Sequence, residues 1–149
     1  MVHNLLLETA YKDIYKRIEA LQATNLRQWG KMDIAQMLAH CNIPIEQSIG
    51  KAPATDSSNF LTKTLIKWVV LRKNPFGRNL PTVPTFVITD KRVFEEEKQK
   101  LLQNVKDFYE KAQKNGELAQ HPGFGKLSKE EWGLLTWKHL DHHLKQFSA

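Results

Sequence analysis

Four stretches of the chain repeat their apolar residues at steps of three and four. This is the period of a helix with one buried face, and it constrains the fold more than any other feature. In the first, Leu7, Tyr11, Ile14, Ile18 and Leu21 form the stripe. The second, from about Asp33 to Ile49, places Ile34, Met37, Leu38, Cys41 and Ile45 inward. The third, from about Lys91 to Lys114, aligns Phe94, Leu101, Val105, Phe108 and Ala112, with Thr89 or Asp90 as its cap and Asn115-Gly116 as its stop. The fourth opens on "SKEE", where Ser128 and Glu131 have capping-box spacing, and runs to about Phe147.

Residues 51–90 separate the second helix from the third. Within them "FLTKTLIKWVVLRK" fits an additional amphipathic piece, and the three prolines of "NPFGRNLPTVPTF" predict extended chain. Only "TFVIT" reads as a strand, and it has no partner. Four helices with one long crossover predict an all-α fold, a four-helix bundle whose order is not simply up-down-up-down. A chain of 149 residues fits one domain, 1–149.

The chain is 41% hydrophobic and 26% charged, ordinary for a soluble globular protein and far from the composition of a disordered one. The single cysteine, Cys41, excludes an internal disulfide and fits a reducing compartment. No secretory leader and no apolar window long enough for a membrane span is visible, so a cytoplasmic location is expected. Five of the six excess positive charges fall in residues 51–80, where Lys51, Lys63, Lys67, Arg72, Lys73 and Arg78 face only Asp56. That patch can meet an anionic partner, although a solvated connection is the commoner meaning. Trp68 and Val69-Val70-Leu71 beside Lys67, Arg72 and Lys73 raise the same question for a membrane surface. The plainer expectation is that these apolar residues pack over the helices or in a dimer interface. Nucleic acid is not an expected partner, because no reading motif accompanies the basic residues.

Three of the six histidines lie in "WKHLDHHLKQF". His139 and His143 are four apart, so on a helix their side chains lie nearly one above the other, the spacing by which two imidazoles share a metal ion. His139 also continues an inward stripe through Trp132 and Leu135, whereas His142 falls at its edge. A polar side chain inside a helical core costs free energy unless it finds a partner, and a divalent cation satisfies two imidazoles at once. A third ligand must come from another helix, and His40, one turn beyond Met37, is the candidate. Surface or core polarity remains the commoner meaning of an isolated H-x-x-x-H pair. Pro44 lies four residues after His40 and predicts a kink or an early end to the helix. His3, in the N-terminal tail, and His121, ahead of the fourth helix, are not expected as ligands; at about 1.5 Å per residue His121 lies more than about 20 Å along the axis from His139.

The blocks "RQWGKMDIAQMLAHC" and "HPGFGKLSKEEWGLLTWKHLDHHLKQF" resemble the DinB/YfiT-like superfamily of metal-binding four-helix bundles, in a branch of unknown function. The resemblance covers most of the chain and is least informative in the crossover. It implies an up-down-down-up bundle, frequently dimeric, with a divalent metal such as zinc or nickel held by His40, His139 and His143. The adjacent His142 departs from a bare triad. Characterised members of the superfamily include transferases that use low-molecular-weight thiols and a maleylpyruvate isomerase; others are described only as metal-dependent hydrolases.

Three neutral ligands leave an ion its full charge, which can lower the pKa of a bound water or hold a thiol as thiolate. Hydrolysis wants a carboxylate nearby to manage protons. No Glu follows a ligand histidine in the H-E-x-x-H manner, and Asp141, two residues from His139, points away. Gln36 and Gln146, each about one turn from a ligand, cannot act as bases but can orient ligands or substrate. Cys41 reads as a small buried apolar residue rather than a nucleophile. The expected function is therefore a metal-dependent transferase acting with an external thiol. A metal-dependent hydrolase is the alternative, as is a non-enzymatic module that interacts through its basic segment.

Overall fold

A computed structural model describes residues 3–72, 74–78 and 86–149. The extended reading of Pro81 and Pro84, and the charge of Lys73, lie outside those residues. The four expected helices are present as α1 (Glu8–Ala20), α2 (Ile34–Ile49), α4 (Phe94–Gln113) and α5 (Lys129–Gln146). A fifth, α3, is the single turn Lys67–Val70 that continues a π-helical stretch, Thr62–Ile66. No strand occurs among the described residues, and Val87–Thr89 forms none. All the regular elements among the described residues are helical.

Local chemistry sets the helix ends. Asp33 and Gln36 form a capping box on α2: the Gln36 backbone N–H donates to Asp33 Oδ1 at 2.8 Å, and the Asp33 N–H donates to Gln36 Oε1 at 3.0 Å. α2 runs through Pro44 to Ile49 rather than ending early, and stops at Gly50 with φ +82°. Ser128 and Glu131 cap α5 reciprocally, at 3.1 and 2.8 Å, as their spacing predicts. α4 starts at Phe94, later than expected, and neither Thr89 nor Asp90 caps it. Asp90 instead pairs with Arg92 at 2.9 Å. Glu95, Glu96 and Glu97 place negative charge at the positive end of the α4 dipole. At its far end Asn115 itself takes the left-handed conformation, with φ 58°.

α2 packs against both α4 and α5, and α1 packs against the same two helices. Ile14, Ile18, Leu38, Val105, Phe108 and Trp132 are buried in the common core, where each large apolar side chain contributes about 1.5–3 kcal/mol. The N-terminal tail crosses α5 at Gly133: the Leu5 N–H donates to the Gly133 carbonyl at 3.1 Å, and a Cβ there would collide with Asn4. Between α2 and α4 a polar seam is buried. Asn42 donates to Glu97 Oε2 at 3.0 Å and accepts from Asn104 at 2.9 Å, while Asn104 also accepts from Lys51.

The amphipathic piece at residues 60–70 is helical as expected, but of the run Trp68 to Leu71 only Leu71 packs against the core and Val70 against the cavity. Phe60, Leu61, Leu65, Trp68 and Val69 are all exposed. The piece is tied down at its end instead. Lys138, buried on α5, donates through Nζ to the carbonyls of Val70 and Arg72 at 2.5 and 2.7 Å, satisfying acceptors that the helix leaves free. Lys67 pairs with Glu131 at 3.1 Å. Among the described residues no helix is long and apolar enough to cross a membrane.

Candidate metal centre

The structure brings His40 of α2 together with His139 and His143 of α5. One ring nitrogen from each lies within 4.8 Å of the other two. Ring centroids are 4.8 Å apart for His40–His139, 4.7 Å for His40–His143 and 4.8 Å for His139–His143, with each pair edge to face. The convergence follows from register. His139 and His143 share the α5 face that carries Trp132 and Thr136, and His40 shares the α2 side of Met37 and Pro44.

The outer hydrogen bonds fix how these rings carry their protons. His40 Nδ1–H donates to the Phe86 carbonyl at 2.8 Å, since a carbonyl only accepts, and so its Nε2 presents a lone pair. For His143 the constraint arrives through Gln146. The Gln146 amide NH2 donates to the Trp29 carbonyl at 2.7 Å, which turns its oxygen toward His143 Nδ1 at 2.8 Å. His143 therefore also keeps its proton on Nδ1 and its lone pair on Nε2. Gly30 helps to hold this arrangement. It has φ +84°, and a Cβ there would lie 2.5 Å from Gln146 Nε2.

The electrostatics keep the imidazoles neutral. Burial lowers the pKa of His40, partly offset by the Phe86 carbonyl. Burial and then the neighbouring charge of His40 push His143 down to about 3, against the opposing bond to Gln146. His139 is held well below the usual histidine range by burial first, and then by His143, His40, His142 and His121. No carboxylate answers them, because among the described residues no Asp or Glu lines the cavity into which they open. His40 Nε2 and His139 Nε2 lie 2.8 Å apart, so without a cation His139 must place a proton between them. A tetrahedral ion with bonds of about 2.0–2.1 Å sets its ligand nitrogens roughly 3.3 Å apart, so this pair would open by about half an ångström. Neutral, mutually facing imidazoles, two of them with the outer N–H anchored on a carbonyl oxygen, are a donor set that a divalent cation fits.

The cavity encloses about 620 Å³. Its walls are mainly apolar, with Phe76, Phe86, Phe124, Trp132 and Leu135 among them. His142 lines it too, with its ring 5.0 Å from that of His143, and packs edge-on against Trp29 and Phe76 rather than joining the triad. Gln36 is not part of the site: its amide is consumed by the α2 cap and by the Asp90 carbonyl at 3.2 Å. Asp141 points away, bound to Arg17 at 2.9 Å and Lys145 at 2.8 Å. Cys41 is buried, its thiol pKa raised by desolvation, and its sulfur contacts Met37.

His3 lies outside the triad and stacks on Trp137 with centroids 4.6 Å apart; the position of one histidine differs from expectation. His121, placed far from His139 by counting helical rise, lines the same cavity. The count fails because the chain before Lys129 is not helical and folds back over α5 in a tight turn. The local signal was "HPGFG", whose glycines mark a turn.

Among curated proteins and among solved structures, none matches the chain. A family model described as a protein of unknown function, DUF1569, matches residues 3–149. Its description names no activity, ligand or fold. The chain belongs to the DUF1569 family.

Proposed function

We propose that His40, His139 and His143 hold a divalent metal ion, zinc or nickel, and that the protein is a metal-dependent transferase acting with an external low-molecular-weight thiol. The observation that carries this reading is the convergence of three neutral imidazoles on the wall of an apolar cavity that, among the described residues, has no carboxylate in its lining. A cation held by three neutral ligands supplies a thiol-activating positive charge at its open position. The chain's own residues do the rest. Phe86 and Gln146 orient the ligand rings, and the aromatic walls exclude water and take up an apolar electrophile. Hydrolysis is the weaker alternative, since among the described residues the cavity offers no Asp or Glu to accept a proton from water. The pairing of α1 and α2 with α4 and α5, and the long connection between α2 and α4, support an up-down-down-up four-helix bundle and kinship with the DinB/YfiT-like proteins.

The test is metal analysis of protein purified without a histidine tag, alongside His40→Ala and His139→Ala. One ion per chain, lost in both variants, is expected; metal content that is absent from the start or unchanged by both substitutions contradicts the site. Assay of the loaded protein with thiols and electrophiles, and separately with esters and amides, then divides transfer from hydrolysis.

A second reading is favoured by one observation, the exposure of Phe60, Leu65, Trp68 and Val69 beside Lys63 and Arg72. That surface suits self-association into a homodimer, with an anionic partner as the alternative. Sedimentation of the wild type and of Trp68→Glu decides: a dimer that dissociates in the variant supports the first. Binding of the monomer to anionic vesicles at low salt supports the second.

A further inference from the structure

His121 is the one imidazole in the cavity that the metal reading does not use, apart from the edge residue His142. Its turn is closed by two backbone bonds, His121 N–H to the Gly125 carbonyl at 2.8 Å and Gly125 N–H to the His121 carbonyl at 2.9 Å. The Ser57 N–H holds the adjacent Pro122 carbonyl at 2.8 Å, and Gly125 takes the left-handed conformation the turn requires, φ +70°. Inside the turn, His121 Nδ1 receives two backbone N–H groups, from Gly123 and Phe124, each at 3.0 Å. A backbone N–H can only donate, so Nδ1 must carry a lone pair and the single proton of the neutral ring must sit on Nε2. Burial agrees, lowering the pKa of His121 to about 4. The ring is clamped between Phe124, with centroids 4.4 Å apart, and Trp132 at 5.2 Å. Among the described residues Nε2 has no hydrogen-bonding partner.

His121 is thus a rigid, neutral, single-proton donor in an aromatic wall. His121 is not among the residues whose ring nitrogens lie within 4.8 Å of one another, although it lines the same cavity as the triad. That separation suits the two ends of one small molecule rather than two ligands of one ion. We propose that His121 recognises, through Nε2–H, an oxygen acceptor on an otherwise apolar organic ligand whose far end reaches the imidazole triad. The ligand class is an aryl or alkyl compound bearing a carbonyl-type oxygen. This deepens the reading of the same cavity by naming its ligand, and its test does not need the cation.

The experiment compares 4-phenyl-2-butanone with its hydrocarbon isostere 2-methyl-4-phenyl-1-butene, with binding followed by the fluorescence of the cavity tryptophans in metal-free and zinc-loaded protein. A neutral hydrogen bond predicts that the ketone binds roughly 2- to 10-fold more tightly than the hydrocarbon. His121→Phe, which keeps a stacked ring but has no donor, should abolish that preference while leaving hydrocarbon binding and zinc content unchanged. His121→Gln can accept from the turn and still donate into the cavity, and should restore part of it. Nitrogen NMR of His121 in the free protein should show the Nε2–H form at neutral pH. Equal affinity for both probes, a preference that survives His121→Phe, binding of neither probe, or a proton on Nδ1 overturns the proposal. A chain that fails to bind zinc but keeps the ketone preference overturns the metal reading alone.

Discussion

α2 carries buried polar groups on two sides, and the two sides differ in what satisfies them. Toward α4, Asn42, Glu97, Asn104 and Glu46 bond to one another, and Lys51 and Lys100 balance the charge. Every partner needed is in the chain. Toward α5, His40 meets His139 and His143 with no acidic group among them, and the outer nitrogens of His40 and His143 are committed to carbonyl oxygens. Without a cation the three neutral imidazoles share one direct hydrogen bond, between His40 and His139, and His143 Nε2 keeps a lone pair with no donor among the described residues, so the cluster gives little stability by itself. The first side is a finished structural network; the second is an arrangement that the proposed cation would complete.

The sharpest way to break that contrast is to remove a ligand. His40→Ala or His139→Ala should weaken zinc binding by more than roughly 100-fold, beyond the 10–100-fold typical of outer-shell changes, while the metal-free protein unfolds near its wild-type midpoint. Calorimetric titration and thermal melts with and without zinc check both halves. Next in size is Gln146→Leu, which leaves all three imidazoles in place but frees His143 to move its proton to Nε2. Zinc affinity should fall by roughly 10- to 100-fold with little change in the metal-free melt. Asn42→Ala tests the other side. It strips Glu97 and Asn104 of a buried partner and should cost about 1–3 kcal/mol in urea unfolding, equally with and without zinc.

The smallest effect is on pH. Unfolded, each imidazole takes up its proton near pH 6.5; folded, His121 does so only near 4 and His143 near 3. In between, the unfolded chain binds more protons, so acid favours unfolding. The stability of the metal-free protein is therefore fully present above about pH 6.5 and declines as the pH falls toward 4. Melts should move down by several degrees across that range, and His121→Phe should flatten part of the slope.

The helices and the meeting of His40 with His139 and His143 were legible because periodicity reports which side chains share a face. The Ser128–Glu131 cap was legible for a similar reason, since it depends only on spacing. The same spacing in Asp33–Gln36 marks a capping box, and reading Gln36 as a helper of the site overlooked it. The position of His121 was hidden because axial rise applies only within a helix, and residues 115–127 turn back instead. The carbonyls of Phe86 and Trp29, which set two ring tautomers, are backbone groups that no residue type announces. The fate of Phe60 and Trp68 could not be read from their amphipathic pattern, because a pattern names an apolar face but not what covers it.

The central claim is a location, and diffraction at a metal absorption edge tests it most directly. Crystals of the untagged protein grown with zinc should give an anomalous peak about 2.0–2.1 Å from one nitrogen each of His40, His139 and His143, with the Phe86 and Gln146 bonds intact. A map with no peak there, and with His40 still hydrogen-bonded directly to His139, would contradict it.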